Sequence, residues 1–173
     1  MGHARMIISN SGPLIHLARI GKLKLLKELF GEVVIPYAAK KEVVDRGKEE
    51  GMADAFLIEN EIENGWIVID HDINDKVKEI AERVGIEIGE AIAIMLARRR
   101  RCPILLDDLA ARRFAIDLGL EVIGSIGVLI RAAKVQKISK NEALDALDKL
   151  AVVMWLSVGV YEDARKTIER EIQ

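Results

Sequence analysis

Cysteine is almost absent from this chain of 173 residues, since Cys102 is the only one. A single cysteine excludes an intramolecular disulfide framework and a zinc site built from cysteines. Long hydrophobic runs are lacking as well. The apolar run of residues 91–97, which no other run in the chain exceeds, is far shorter than the roughly 20 residues that a membrane span requires. We therefore expect a cytoplasmic protein that folds without covalent staples and has no membrane partner.

Neither sign of charge predominates, because 26 basic residues face 28 acidic ones and the net charge is −2. A chain with this balance does not bind nucleic acid by overall charge, so any such contact must come from a local basic patch. Uncharged polar residues are scarce, with one threonine, five serines and two glutamines. Abundant Lys, Glu and Arg with few thermolabile amides is typical of thermophiles, and we expect such a source.

Short apolar runs alternate with helical patterns along most of the chain. The predicted strands are residues 6–9, 33–35, 66–69, 104–106 and 121–123. No hairpin signal joins them, which favours an α/β fold with a parallel sheet covered by helices on both faces. Among the predicted helices, one covers residues 36–45 and the next residues 48–64. Since no strand pattern follows residue 135, we expect a domain of residues 1–135 and a C-terminal helical extension over residues 136–173.

Polar residues follow two of the predicted strands. Asn10 and Ser11 come after the first strand, and Asp107 and Asp108 come after the fourth. In open parallel sheets ligands bind at the carboxyl ends of the strands, and these side chains carry oxygen atoms that bind cations. Because side chains alternate in direction, we expect only one of the two aspartates to face the cleft. An aspartate between a strand and a helix is also a common N-cap, so both interpretations of the pair stay open.

Two further acids are candidates on weaker grounds. Glu90 follows Gly89 at the start of an apolar helix, where a negative charge is favourable whatever its function. Glu42 lies in a predicted helix beside two lysines, where a solvated surface acid is the usual outcome. Neither acid identifies a site by itself.

Basic residues lie close to these acids in the sequence. Arg112 and Arg113 come about one turn after Asp108. A metal-dependent phosphodiesterase needs such neighbours, because its acids hold Mg²⁺ and its arginines meet the backbone phosphates. In the simpler interpretation Arg112 pairs with Asp108 along the helix, and the arginine run 98–101 stabilises a helix dipole. Residues 124–127 are a weak candidate for a phosphate-binding nest.

Other chemistries lack the residues that they require. A serine or cysteine nucleophile needs a nearby base, and the three histidines are at positions 3, 16 and 71. No nucleophile elbow, P-loop or dinucleotide fingerprint occurs. We expect His16 to be packed or exposed rather than catalytic, and residues 70–72 to form a solvated turn. A phosphotransfer receiver would need an acidic pair after the first strand, where Asn10 and Ser11 stand.

The order and spacing of these motifs resemble the PIN-domain family of nucleases. The resemblance is to a prokaryotic branch of predicted nucleic-acid-binding proteins related to the VapC toxins. The motifs are residues 9–15, Ile35-Pro36 leading to Glu42-Val43, Gly89-Glu90-Ala91, Leu105 to Asp108 followed by Arg112 and Ala115, and residues 122–129. Each motif is short, but five in this order over about residues 6–135 are a fairly specific signal, and the helical tail also resembles that branch.

The resemblance implies a five-stranded parallel sheet of order 3-2-1-4-5 with an acidic cleft at the carboxyl ends of the strands. It implies that this cleft holds Mg²⁺ or Mn²⁺ and that a metal-activated water hydrolyses single-stranded RNA. Position by position, Asn10 stands in the place of the first family aspartate, Glu42 matches the second acid, Glu90 the third, and Asp107 or Asp108 the fourth. Ser11 and Ser125 match positions where the family often has a hydroxyl beside the metal.

Asn10 is the departure from the family pattern. An amide oxygen still ligates a hard cation, but it brings no charge, so the affinity for metal should fall. Mg²⁺ usually needs only one or two carboxylates plus waters, so Glu90 with Asp107 or Asp108 meets that need. A site with two metal ions becomes less favourable for the same reason.

Two hypotheses follow. In the first, the chain is a Mg²⁺- or Mn²⁺-dependent endoribonuclease and a candidate toxin that an antitoxin protein restrains. Its catalytic acids would be Glu42, Glu90, Asp107 and Asp108, its metal ligands Asn10, Glu90, Asp107 and Asp108, and its phosphate contacts Ser11, Arg112, Arg113 and Ser125. In the second, motivated by Asn10 and the negative net charge, the chain is an inactive module that binds RNA or protein. A homodimer is expected in either case, and the apolar residues 152–155 either form its interface or pack onto the domain.

Overall fold

A parallel sheet of five strands forms the centre of the fold in the computed structural model, which describes residues 6–72 and 75–173. The strands are β1 (Met6–Ser9), β2 (Glu32–Pro36), β3 (Ile67–Asp70), β4 (Ile104–Leu105) and β5 (Val122–Ile123). Their order is β3-β2-β1-β4-β5, and every pairing is parallel. The predicted fold class and strand order are confirmed.

Strand β1 lies at the centre of the sheet and is buried on both faces. Ile7 and Ile8 are both fully buried, and because they point to opposite faces they belong to two different clusters of the core. Continuous apolar strands are what a sheet with two covered faces requires. The chain order reverses between β1 and β4, so the carboxyl ends of these two strands border the crevice where such folds bind ligands.

Eleven α-helices surround the sheet in the described part of the chain. They are α1 (Ser11–Arg19), α2 (Leu25–Phe30), α3 (Tyr37–Lys40), α4 (Gly47–Glu49), α5 (Ala53–Glu63), α6 (Val77–Val84), α7 (Ile88–Arg100), α8 (Leu109–Asp117), α9 (Ser125–Lys134), α10 (Lys140–Val153) and α11 (Val158–Glu171). Helices α7 and α8 cover one face, whereas α1, α2, α5 and α9 cover the other. Each helix described in residues 6–72 and 75–173 is too short or too polar to cross a membrane.

The helical run after β2 differs from the predicted one. A π-helical segment, residues 41–46, joins α3 to α4, and the next helix begins at Ala53 rather than at residue 48. The break is a Schellman-type turn, in which the N–H of Met52 bonds the carbonyl of Gly47 and Gly51 has a φ of 70°. Glycine adopts this left-handed conformation without the usual steric cost, so the helix ends there.

The C-terminal helices α10 and α11 pack against α9, and α10 also contacts α1. Leu147, Leu150 and Ile168 are buried in the same core cluster as Ile7 of the central strand. Apolar side chains on both sides of residue 135 therefore share one core. The division of the chain at that point stays a prediction.

The apolar residues 152–155 are divided between the core and the surface. Val153 and Met154 are partly buried and pack against the main core cluster. Val152 and Trp155 are exposed. Packing onto the domain thus explains only half of this apolar segment.

We predict that Gly47→Ala destabilises the protein. A Cβ atom at Gly47 would lie 2.7 Å from the Cβ atom of Ala55, which is fully buried in α5 and cannot move aside cheaply. Overpacking of this kind typically costs about 1–3 kcal/mol in the free energy of unfolding, measured by urea denaturation.

The control is Gly159→Ala in α11, where a new Cβ atom meets nothing within 4 Å. Because alanine is the better helix former, this variant should be unchanged or more stable by up to about 1 kcal/mol. Equal stability of the wild type and Gly47→Ala would contradict the close contact between α4 and α5.

Candidate functional site

The carboxyl ends of β1 and β4 bring the predicted site residues to one edge of the sheet. In this pair Ser9 is level with Leu105, and the N–H of Asn10 donates to the Leu105 carbonyl at 3.3 Å. Asn10 follows β1 directly, and Asp107 follows β4 after one residue. Two segments that are far apart in the sequence therefore end side by side.

Asp107 is the most heavily hydrogen-bonded acid of this edge. Its Oδ1 accepts the N–H of Ser125 at 2.8 Å, and its Oδ2 accepts the hydroxyl of Ser125 at 2.6 Å. The same Oδ2 lies 2.7 Å from Nδ1 of His16. With a side chain only 11% exposed, Asp107 connects the end of β4 to the first turn of α9 and to α1. Both of its oxygens already have partners from the protein.

Asp108 makes different contacts. It is the N-cap of α8, and its Oδ2 accepts the N–H of Ala111 at 3.0 Å. The residue is exposed, unlike Asp107. The N-cap interpretation thus holds for Asp108, and this role occupies one of its two oxygens and leaves its charge near the crevice.

Glu90 lies in the first turn of α7 and is only 8% exposed. Its Oε2 accepts the N–H of Glu87 at 3.0 Å, which forms one half of a capping box. Burial raises the pKa of the Glu90 carboxyl above its ordinary value. The negative charges of Asp108 and Glu42 raise this pKa further, whereas the hydrogen bond from Glu87 lowers it. Glu90 therefore shares one electrostatic environment with two other predicted acids.

Asn10 and Glu42 complete this group. A Cβ atom added to Gly89 would lie 3.8 Å from Oδ1 of Asn10, so the side-chain amide of Asn10 lies next to the start of α7. Glu42 belongs to the π-helical segment, and its Oε2 accepts the buried hydroxyl of Ser11 at 2.7 Å. A π-helical turn is rare and often occurs at functional sites.

The arginines are placed in different ways. Arg112 is half-buried, and its Nη1 donates to the carbonyl of Leu106 at 2.8 Å, which holds it beside Asp107 and Gly124. Arg113 is exposed. In the run 98–101, Arg99 and Arg100 form ion pairs with Asp72 and Asp70.

His16 is the residue of this edge for which sequence reasoning predicted no role. It lies in α1, one helical turn after Gly12, and its imidazole contacts Asp107. The available signal was its helical spacing from the Asn10-Ser11 motif, which places it on the face of α1 that begins at this edge.

The donors of this edge suit a hard cation in type, since they are carboxylate and amide oxygens. Within residues 6–72 and 75–173, however, no three side chains of His, Cys, Asp or Glu are close enough to enclose a metal ion. Both carboxylate oxygens of Asp107 already have hydrogen-bond partners, whereas Glu90 and Asp108 each have one oxygen outside the described hydrogen bonds. This set fits a hydrated ion held by one or two carboxylates, which is how Mg²⁺ is usually bound.

A family model described as a PIN domain matches residues 6–170, which is nearly the whole chain. The chain belongs to the PIN-domain family. The PIN fold is a nuclease-type fold, and PIN domains generally use divalent metals. No match was found among curated proteins or among solved structures. The family therefore gives the class of fold, and the residues of this PIN domain must carry the more specific argument.

We predict that Ser125→Ala costs more stability than Ser11→Ala. Both serines are buried and donate to a carboxylate, but Asp107 is largely shielded from water whereas Glu42 is exposed. A shielded carboxylate that loses a donor cannot recover it from solvent, so Ser125→Ala should lose about 1.5–3 kcal/mol and Ser11→Ala less than about 1 kcal/mol. Urea unfolding measures both, and equal losses would contradict the difference in shielding.

We also predict a pH effect at Glu90 in the absence of divalent ions. Folding raises the pKa of this carboxyl, so the protonated Glu90 stabilises the folded state. This contribution to the free energy of unfolding is fully present below the ordinary pKa of 4.5 and is lost as the pH rises through the raised pKa. Glu90→Gln removes this loss, so its stability relative to the wild type should increase over that interval.

Unfolding curves at several pH values in EDTA measure the difference. Glu82→Gln, a change of the same kind at an exposed acid of α6, is the control and should follow the wild type. Parallel curves for Glu90→Gln and the wild type would show that the carboxyl of Glu90 is not perturbed.

Proposed function

We propose that this PIN domain is a divalent-metal-dependent endoribonuclease that cleaves single-stranded RNA. The observation that carries the proposal is the environment of Glu90. The Glu90 carboxylate is nearly buried, and the negative charges of Asp108 and Glu42 act on it. In the described part of the chain it accepts a hydrogen bond from the backbone N–H of Glu87. A cation at this edge would offset the repulsion among the three acids. The arrangement therefore favours the binding of a divalent metal ion.

Glu90 and Asp108 would hold the metal, and the Asn10 amide would add a neutral oxygen. The chemistry that Mg²⁺ or Mn²⁺ would supply there is activation of water as a nucleophile and stabilisation of charge on the phosphate. Glu42, held by Ser11, contributes negative charge beside the ion. The choice of Asp108 over Asp107 rests on the contacts of the two acids, because Asp107 already has three hydrogen bonds, two with Ser125 and one with His16.

Asp107 acts as a positioning residue in this proposal. Its bonds to Ser125 and His16 fix the end of β4 relative to α9 and α1, and the following residue is Asp108. Arg112 is held beside the same acid and offers its remaining guanidinium N–H groups to a backbone phosphate, with Arg113 as an exposed neighbour. These residues bind and orient RNA, and none of them needs to transfer a proton.

A second function is favoured by one observation. Asn10 is neutral at a position where an aspartate would add a negative charge to the site. Among the described residues, no three acids lie close enough together to hold a metal ion. An RNA-binding or protein-binding module without catalysis retains every contact described above. The cleavage experiment below separates the two functions.

The proposal also includes the cellular setting. The endoribonuclease would act in the cytoplasm of a thermophile as the toxin of a toxin–antitoxin pair, with an antitoxin protein that covers the cleft, and it would form a homodimer. Light scattering on the purified chain measures its oligomeric state directly.

The first experiment is cleavage of a mixed-sequence single-stranded RNA with Mn²⁺ or Mg²⁺. The wild type should cleave it, EDTA should abolish cleavage, and Glu90→Gln should reduce it to background because it removes a ligand charge. Glu82→Gln, a change of the same kind at an exposed acid of α6, should cleave like the wild type. Asn10→Asp should cleave faster, since it adds a carboxylate at the metal.

Two results would overturn the enzymatic proposal. Cleavage by Asn10→Asp alone would make the natural protein a binding module on an intact nuclease scaffold. Absence of cleavage from all variants, with folding confirmed by circular dichroism, would remove the enzyme altogether. A shift of the melting temperature by Mn²⁺ in the wild type but not in Glu90→Gln tests the metal site without any assay of activity.

A further inference from the structure

A groove of about 780 Å³ leads away from the candidate site along α9. Asp107 and Arg112 line it at the end near the site, and Ile126 and Ile130 of α9 form part of its wall. Trp155 and Val160, from the corner between α10 and α11, also line it. Its volume is within the range of pockets that bind small organic ligands. The groove is therefore continuous with the edge that carries the predicted site residues.

Trp155 is displayed at the surface in an unusual way. It is 90% exposed, although tryptophan is among the largest apolar side chains, and its φ of 53° places it in the left-handed region. This residue follows the last turn of α10, where the N–H of Leu156 bonds the carbonyl of Ala151. Helices usually have glycine at such a position, because a residue with a Cβ atom is strained there. Arg101 and Gln136 end their helices in the same left-handed conformation, so it is the exposure of the indole, rather than its backbone, that folding does not explain.

The other tryptophan shows the contrast. Trp66 is 5% exposed, and its indole N–H donates to the carboxylate of Glu61. One of the two tryptophans of the chain thus supports the core and the other does not. The indole of Trp155 is free to contact a ligand.

The two ends of the groove together suit a nucleotide strand. An exposed indole offers a flat face on which an unpaired base stacks, and such stacking tolerates every base. Arg112 at the other end offers guanidinium N–H groups beside the acids of the candidate site, and guanidinium is the group that most often meets phosphate. Arg131 and Asp163 also line the groove, but the guanidinium of Arg131 is paired with Glu121, so Arg112 is the basic group on which the argument rests.

We propose that Trp155 is the stacking platform for an unpaired base of single-stranded RNA that lies in this groove. The stacked base sets the register of the strand, so that its backbone passes Arg112 on the way to the acids at the carboxyl ends of β1 and β4. The inference rests on the substrate class of the proposed function but not on catalysis. An apolar segment of another protein, or a second copy of the chain, is the competing occupant.

Tryptophan fluorescence tests the proposal with the full chain, using a mixed-sequence single-stranded RNA oligonucleotide in EDTA so that no metal-dependent cleavage occurs. The RNA should quench the emission of the wild type saturably, and the residual signal should come from buried Trp66. Duplex RNA of the same sequence should quench much less, because its bases are already stacked. In Trp155→Ala the quenching should disappear, and the affinity measured by anisotropy should fall about five- to one-hundredfold.

Two variants separate stacking from simple loss of apolar surface. Trp155→Phe retains an aromatic ring and should bind RNA nearly as well as the wild type. Val152→Ala shortens an apolar side chain that is 76% exposed close to Trp155, and it should leave binding unchanged. Circular dichroism and urea unfolding confirm that the substituted chains fold, which is expected because the replaced side chains are exposed.

Three outcomes would overturn the proposal. If RNA binds Trp155→Ala as tightly as the wild type and does not quench the fluorescence of the wild type, the RNA does not contact Trp155. Equal losses of affinity in Val152→Ala and Trp155→Ala would indicate a general apolar contact. A change in Trp155 emission with protein concentration alone would assign the surface to a second copy of the chain. If no variant cleaves RNA but quenching requires Trp155, the inference stands and only the catalytic proposal fails.

Discussion

The parallel pairing of β1 with β4 is the constraint on which the candidate site depends. These strands are neighbours at the centre of the sheet, and their register places Ser9 level with Leu105. Parallel strands end at the same edge, so the polar residues that follow them meet although they are far apart in the sequence. The helices α1, α8 and α9 also begin at this edge. Hydroxyl, amide and carboxylate groups therefore gather there.

At this edge two adjacent aspartates have different tasks. Asp107 is shielded and bonded to Ser125 and His16, so its charge is compensated by fixed donors. Asp108 is exposed, caps α8 and contributes its charge to the surroundings of Glu90. Neighbouring side chains on an extended segment point in different directions, which makes this division natural. One acid is bonded to the scaffold, and the charge of the other acts on Glu90.

Much of the fold could be predicted from the sequence because its signals are local. Short apolar runs without alternation indicated buried parallel strands, and five motifs in the right order indicated the family and the strand order. The limits of the helices after β2 were predicted less well. The Schellman-type turn at Gly51 and the π-helical segment that carries Glu42 depend on hydrogen bonds that apolar spacing does not reveal. The contact of His16 with Asp107 depends on how α1 packs and was likewise missed.

Patterns along the chain were enough to predict the class of fold, the family and the set of polar residues available at the edge of the sheet. They were enough because strand and helix patterns, glycine turns and short motifs are properties of neighbouring residues. The folded arrangement was needed to see that Asp107 is bonded to the scaffold and that the charge of Asp108 acts on Glu90. The same is true of Trp155, whose sequence context does not distinguish a core residue from an exposed one. Burial and charge proximity depend on segments that meet only after folding, and the pKa of Glu90 follows from that meeting.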